Sequence, residues 1–216
     1  MSDRKEHWEN VYQTKQLTEL SWYEPIPETS LSIIKRFKLP KDSAIIDIGG
    51  GDSLLVDYLL MLGYTNITVL DISAKAIARA KERLGEKASQ VKWIVKDIIE
   101  FNPDRKYDLW HDRATFHFLL NKEEKDKYLE MVHKNLTPDG YMVLSTFSEE
   151  GPEKCSGLPV QQYSENSLPE LFASYFEKIK CFTKMHITPF HTIQSFVFCS
   201  FRNKPVSSPR FLTELL

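Results

Sequence analysis

The stretch from Ala44 to Asp71, AIIDIGGGDSLLVDYLLMLGYTNITVLD, narrows the possible folds more than any other part of the chain. A short apolar run, Ala44-Ile45-Ile46, meets Asp47 and then three glycines, Gly49 to Gly51. Leu54, Leu55, Tyr58, Leu59 and Leu62 follow at helical spacing, and Gly63 stands where helices commonly end. A second apolar run, Ile67 to Leu70, closes on Asp71. Strand, tight turn, helix, strand is one βαβ unit. Gly49 and Gly51 allow positive φ and lack the Cβ that would hold a ligand off the backbone. The helix, expected to start near Asp52-Ser53, aims its free N–H groups at the turn. Asp71 lies 20 residues beyond Gly51, at a strand end where an acid can accept both hydroxyls of a ribose. The unit therefore reads as a site for a nucleoside cofactor.

The dinucleotide fingerprint G-x-G-x-x-G/A fits at its first two glycines, but its third position is Leu54. A bulky Leu opposes the close helix–strand packing a pyrophosphate needs, which disfavours a nicotinamide oxidoreductase. The phosphate-loop pattern G-x-x-x-x-G-K-[ST] is absent. What remains is acid-x-Gly-x-Gly with a second acid on the next strand.

The rest of the chain extends the alternation. Helices are expected over Asp3–Gln13, Glu28–Phe37, Ala74–Leu84 (capped by Ser73 and ended by Gly85), Lys122–Leu136 and Ser164–Ser174. Strands are expected at Val91–Val95, Tyr107–His111, Tyr141–Phe147, Phe176–Ile187 and Gln194–Phe201, the last almost wholly apolar and so buried. Thr137-Pro138-Asp139-Gly140 signals a turn, and the loop from Ser148 to Ser164 has no periodicity. At 216 residues the length suits one domain, taken as 1–203, with 1–40 a helical N-terminal cover and 204–216 a loose tail.

Net charge is −2, which gives no basic excess for a nucleic-acid partner. No apolar run reaches the length of a membrane span, and a membrane partner is not expected. Cys155, Cys181 and Cys199 are too few and scattered for a disulfide framework or zinc site, so reduced thiols in a cytoplasmic protein are expected. His186 and His191 lack a carboxylate partner in sequence, and no metal is expected.

Ligands of open α/β sheets bind beyond the carboxyl ends of the strands. That rule selects the candidates. Trp8 and Tyr12 share a helix face, as a packed pair or as a lid. Trp22 stands in a Pro-rich loop, as a pocket wall or a loop anchor. Asp97 ends the third strand. His111, Asp112, Arg113 and His117 crowd the end of the fourth, beside a ligand or in an internal network. The loop at 148–164 overhangs the same crevice and offers Tyr163 as a substrate contact; Cys155 could be a nucleophile there.

With these residues in view, the chain resembles the class I, seven-β-strand S-adenosylmethionine (SAM) methyltransferases over about residues 4 to 203. The motifs are IIDIGGGDS, VLDIS, VKDI and YDLWHDRATFHFL. More narrowly it is similar to a bacterial branch that opens with HWENVY and SWYEP and carries GPEKCSGLPVQQYS. Asp112, Ala114, Thr115 and Phe116 also resemble the D-K-G-T-[FLY]-D signature of protein-lysine methyltransferases of this fold, with Arg113, Ala114 and His117 as departures. The resemblance implies an α/β, three-layer αβα sandwich: a seven-stranded, mostly parallel sheet with an antiparallel last strand. It implies SAM as cofactor and S-adenosyl-L-homocysteine (SAH) as product. Gly49 and Gly51 would pass close to the methionine part, Asp47 would hold its amino group, and the backbone at His111 would accept from that amine. Asp71, followed by Ile72, would take the ribose, Asp97 with Ile98 the adenine, and Trp8 and Tyr12 would cover the cofactor. Asp112, His117 or His186 is expected to take a proton, with Trp22, Arg113, Tyr163 and His191 toward the acceptor. A small-molecule acceptor is the leading expectation, ahead of a protein side chain and a non-catalytic SAM-binding role, in a monomer or weak dimer.

Overall fold

The computed structural model describes residues 3–205, so the expected tail lies outside the described residues from position 206. Seven strands form one sheet: β1 (Ile45–Ile48), β2 (Ile67–Asp71), β3 (Val91–Val95), β4 (Tyr107–Arg113), β5 (Leu136–Phe147), β6 (Phe176–Ile187) and β7 (Ile193–Asn203). Their order is β3-β2-β1-β4-β5-β7-β6. The first five run parallel, and β7 is antiparallel to both its neighbours. The expected seven-stranded sheet is present, with the reversed strand inserted between β5 and β6.

Helices cover both faces because alternate residues of the buried strands point oppositely. On one face Ile45, Leu109 and Val143 pack against Leu31 and Ile34 of α2 (Glu28–Arg36) and Leu55 and Leu59 of α3 (Leu55–Met61). On the other, Ile46, Trp110 and Leu144 pack against Tyr128, Leu129 and Val132 of α5 (Lys122–Asn135) and Phe172 of α6 (Ser167–Phe172). α1 (Asp3–Thr14) lies against α4 (Ala74–Leu84) at the strand ends.

Several boundaries differ from expectation. α3 begins at Leu55 rather than near Asp52, because Asp52 instead accepts both Arg79 and Arg83 from α4. The turn signal at 137–140 lies inside the span of β5. Tyr107 pairs with Leu136 and Leu109 with Tyr141, so the intervening residues bulge out, with Asp139 at φ 61°. The 148–164 loop carries a two-residue ribbon, Lys154–Cys155 against Leu158–Pro159. The cysteine expectation is corrected: Cys181 and Cys199 face each other across β6 and β7 and are joined as a disulfide, leaving Cys155 as the free thiol. With that pair oxidised, the cysteines no longer argue for a reducing compartment. No helix among the described residues is long and apolar enough to cross a membrane.

Candidate active site

A cleft opens at the carboxyl ends of β1 to β4. Asp47 to Gly50, Leu70 to Ile72, Lys96 to Ile98 and His111 form its floor, with Arg113 to Thr115 beside them. Arg4, Trp8 and Tyr12 of α1 close one side, and Trp22 to Glu24 close another. The expected cofactor residues other than Gly51 thus border one cleft, Trp8 and Tyr12 from its side and the rest from its floor.

The glycine turn is tighter than a need for ligand approach alone. A Cβ on Gly49 would lie 1.9 Å from Thr115 Oγ1, at a backbone φ of +63°. One on Gly50 would lie 2.5 Å from Asp47 Oδ2, and one on Gly51 2.5 Å from Asp71 Oδ2. Gly49 and Gly51 have the expected positive φ, and the protein's own side chains add a further need for glycine at all three positions. Thr115 uses the room to donate to the Ile48 carbonyl at 3.3 Å.

Asp71 is buried and accepts from the Ser73 N–H at 2.8 Å. Burial pushes its carboxyl up to about 7, helped by the charges of Asp47 and Glu9 and opposed by the donors at Ser73 and Gly51. Asp47 Oδ1 meets His111 Nδ1 at 2.6 Å, and His111 Nε2 meets Ser30 Oγ at 2.8 Å. Asp47 Oδ2 is buried without a partner. Asp97 accepts from the Ile99 N–H at 3.0 Å and lies 3.5 Å from Arg4.

The cover is anchored by polar contacts. Glu9 of α1 accepts from Ser73 Oγ, the Ala74 N–H and the Lys75 N–H at 2.9, 2.8 and 3.2 Å. These are the open donors at the start of α4. Burial alone would raise the Glu9 carboxyl, and the three donors bring it below its ordinary value. Arg79 donates to the Tyr12 and Lys15 carbonyls at 3.1 and 2.7 Å. Trp8 packs against Tyr12, with centroids 6.3 Å apart, as the packed-pair reading has it, and edge-on against Trp22 and Phe118 at 5.8 and 5.3 Å.

Of the residues expected toward the acceptor, Trp22 and Arg113 line the cleft. Arg113 donates to the Trp22 carbonyl at 2.9 Å, pairs with Glu24 at 3.1 Å and lies over the Phe196 ring. The other acceptor and proton-transfer candidates stand off the cleft wall. Asp112 accepts from the Thr115 and Phe116 N–H groups and from Tyr128 Oη at 2.9, 3.2 and 2.7 Å, holding the turn after β4. Burial pushes its carboxyl up to about 6. His117 is fully buried against Phe118 and Phe147, and burial with the Arg113 charge drives its imidazole down to about 3. His186 Nε2 donates to the Ser21 carbonyl at 2.7 Å, and its Nδ1 lies 3.5 Å from Glu24. Tyr163 packs under Phe116, and His191 sits in the β6–β7 turn at φ 61°. Asp112, His117, His186 and Tyr163 are turned by the local chain into packing or hydrogen bonds of their own, and His191 is exposed in its turn.

Ser30 and Glu24 are among the wall residues that sequence reasoning left unassigned. Ser30 and Glu24 lie outside the strand-end motifs, so no local pattern marks them. Cys155 borders the cleft, but burial pushes its thiol up to about 12, so it is protonated and unsuited to attack.

Residues 46–142 match the family model described as a methyltransferase domain. Malonyl-(acyl-carrier protein) O-methyltransferase 2 of Ilyobacter polytropus is 34% identical over 144 residues, covering 63% of this chain and 54% of that protein. The chain thus spans about half the length of that relative. EEF1A lysine methyltransferase 2 of Homo sapiens is 23% identical over 185 residues, 74% of this chain and 78% of that protein. Among solved structures, the N-methyltransferase NodS from Bradyrhizobium japonicum in complex with SAH superposes with a TM-score of 0.68 at 15% identity, covering 93% of this chain and 99% of that one. The matched residues 46–142 supply Asp47, the glycine turn, Asp71, Asp97 and the end of β4, and the fold they belong to is shared with NodS.

Proposed function

We propose that this chain transfers the methyl group of SAM to a small-molecule acceptor, with residues 1–203 acting as one domain. One observation carries the cofactor assignment: Asp47, Asp71 and Asp97 sit at the ends of three adjacent parallel strands around one cleft, and Oδ2 of Asp47 is buried without a partner. An isolated buried carboxylate oxygen calls for a donor, and a cofactor ammonium is one. Asp71 would accept from the ribose hydroxyls, Asp97 and the Ile98 backbone would meet the adenine, and Trp8 and Tyr12 would close the space above.

When bound, SAM supplies an electrophilic methyl group on a sulfonium. The chain's own contribution is to hold an acceptor in line with that carbon and keep water out, which the α1 cover and the aromatic wall of Trp8, Trp22 and Phe118 serve. Asp112, His117 and His186 are occupied with internal partners, so the acceptor is best read as a group already carrying a lone pair, such as a carboxylate or neutral amine.

One observation supports a protein acceptor instead. Met185, Ile187, Phe190 and Ile193 are exposed together at the β6–β7 turn, and the neighbouring His186 rests on the loop that walls the cleft. Radiolabelled SAM incubated with the chain and a cell extract split by size separates the readings. Label in the small fraction supports a metabolite acceptor; label in the large fraction replaces it with a protein. Bound SAM with no transfer would favour a non-catalytic role.

A further inference from the structure

Ser30 has no part in the roles assigned so far. It stands on α2, 1% exposed, and borders the cleft together with His111 and Asp47. The three form a continuous chain: Ser30 Oγ to His111 Nε2 at 2.8 Å, and His111 Nδ1 to Asp47 Oδ1 at 2.6 Å. A carboxylate oxygen accepts, so the hydrogen of the Asp47 contact sits on Nδ1, and Nε2 is left to accept from the Ser30 hydroxyl. That ordering ties Oδ1 of Asp47 to the ring and leaves Oδ2 open.

We propose that Ser30 and His111 are positioning residues for the amino group of the cofactor, acting through Asp47. Ser30 fixes the His111 ring at Nε2, and the ring holds Oδ1 of Asp47, which turns Oδ2 toward the ammonium. The inference rests on reading the cleft as a SAM site. The ionisable groups around His111 are Asp47 on β1, Glu24 on the covering loop, Asp112 and Arg113 on β4, and His186 behind Glu24 on β6.

The test is calorimetric binding of SAH, which keeps the ammonium, to the parent chain, His111→Asn and Ser30→Ala. Asn keeps an N–H for Asp47 but loses the bond to Ser30, so at about pH 8 His111→Asn should weaken SAH binding to the same extent as Ser30→Ala. At about pH 8, Ser30→Ala should bind about five- to tenfold more weakly, the size of a lost hydrogen bond to a buried group. Nitrogen-15 spectra of the parent should show hydrogen on Nδ1 of His111, the form that donates to Asp47 and accepts from Ser30. Parent-like SAH affinity in Ser30→Ala or in His111→Asn overturns the inference, as does hydrogen on Nε2 in the parent. A folded parent that binds no SAH at any pH overturns the cofactor reading itself, a distinguishable result.

Discussion

Replacing Asp71 with Asn should abolish cofactor binding and yet stabilise the free protein above neutral pH. Asp71 is 5% exposed and its carboxyl is pushed up to about 7, chiefly by burial. The unfolded chain titrates near about 3.9, so between these values the folded state holds more protons than the unfolded one. The stability associated with the neutral carboxyl is therefore full below about pH 4 and is lost as pH rises through about 7. The interval corresponds to about 4 kcal/mol against folding at high pH. Asn removes that cost but returns about 1–2 kcal/mol, because its N–H₂ group cannot accept from both Ser73 and Gly51. The net gain is about 2 kcal/mol above pH 8, or about 5 °C in melting temperature for a chain of this size. At about pH 5, where Asp71 is already neutral, the gain should vanish or reverse. Losing two charged hydrogen bonds to ribose hydroxyls, about 1.5–3 kcal/mol each, should weaken SAH binding at least about a hundredfold. Thermal melts at both pH values and calorimetry with SAH measure these effects. An Asn variant equally destabilised at both pH values would refute the electrostatic reasoning, and unchanged SAH affinity would refute the ribose assignment.

Gly49→Ala should cost about 3–5 kcal/mol, from a left-handed backbone and a Cβ 1.9 Å from Thr115 Oγ1. Adding Thr115→Ala should recover part of that loss in chemical denaturation, and strict additivity would contradict the contact. Ala114, at φ 67°, should accept Gly with a gain of about 0.5–1 kcal/mol, since only Gly is unstrained there; a destabilised variant in the same denaturation assay would sink this. Without reductant, the folded protein should show no fast-reacting thiol toward an aromatic disulfide reagent, and unfolding should release one, Cys155. Three thiols on unfolding would contradict the Cys181–Cys199 bond.

Much of the fold was legible because its signals are local. The apolar runs at 45–48 and 67–70, the Gly63 stop and the Ser73 cap are contiguous in sequence, and the parallel sheet follows from their alternation. The acids at 47, 71 and 97 were legible as a site because each ends a strand of that sheet, and strand ends share one edge. Side-chain direction was not legible. His117 and His111 are six residues apart and equally polar, yet one is packed against Phe147 and the other faces Asp47 and Ser30. Only the β1–β4 register, which sets Asp47 beside His111, and the seat of α2 decide this. The disulfide was hidden for the same reason: Cys181 and Cys199 become neighbours through the β6–β7 pairing. Glu24 entered the site through the fold of a Pro-rich loop, which has no period to read.

The most direct test of the cofactor claim is a titration of the chain with SAM, and separately with NADH, following the fluorescence of its four tryptophans. Trp8 and Trp22 border the cleft. Saturable quenching by SAM, reversed by excess SAH and absent with NADH, is the predicted result. No response to SAM, or saturable binding of NADH that SAM fails to displace, would contradict it.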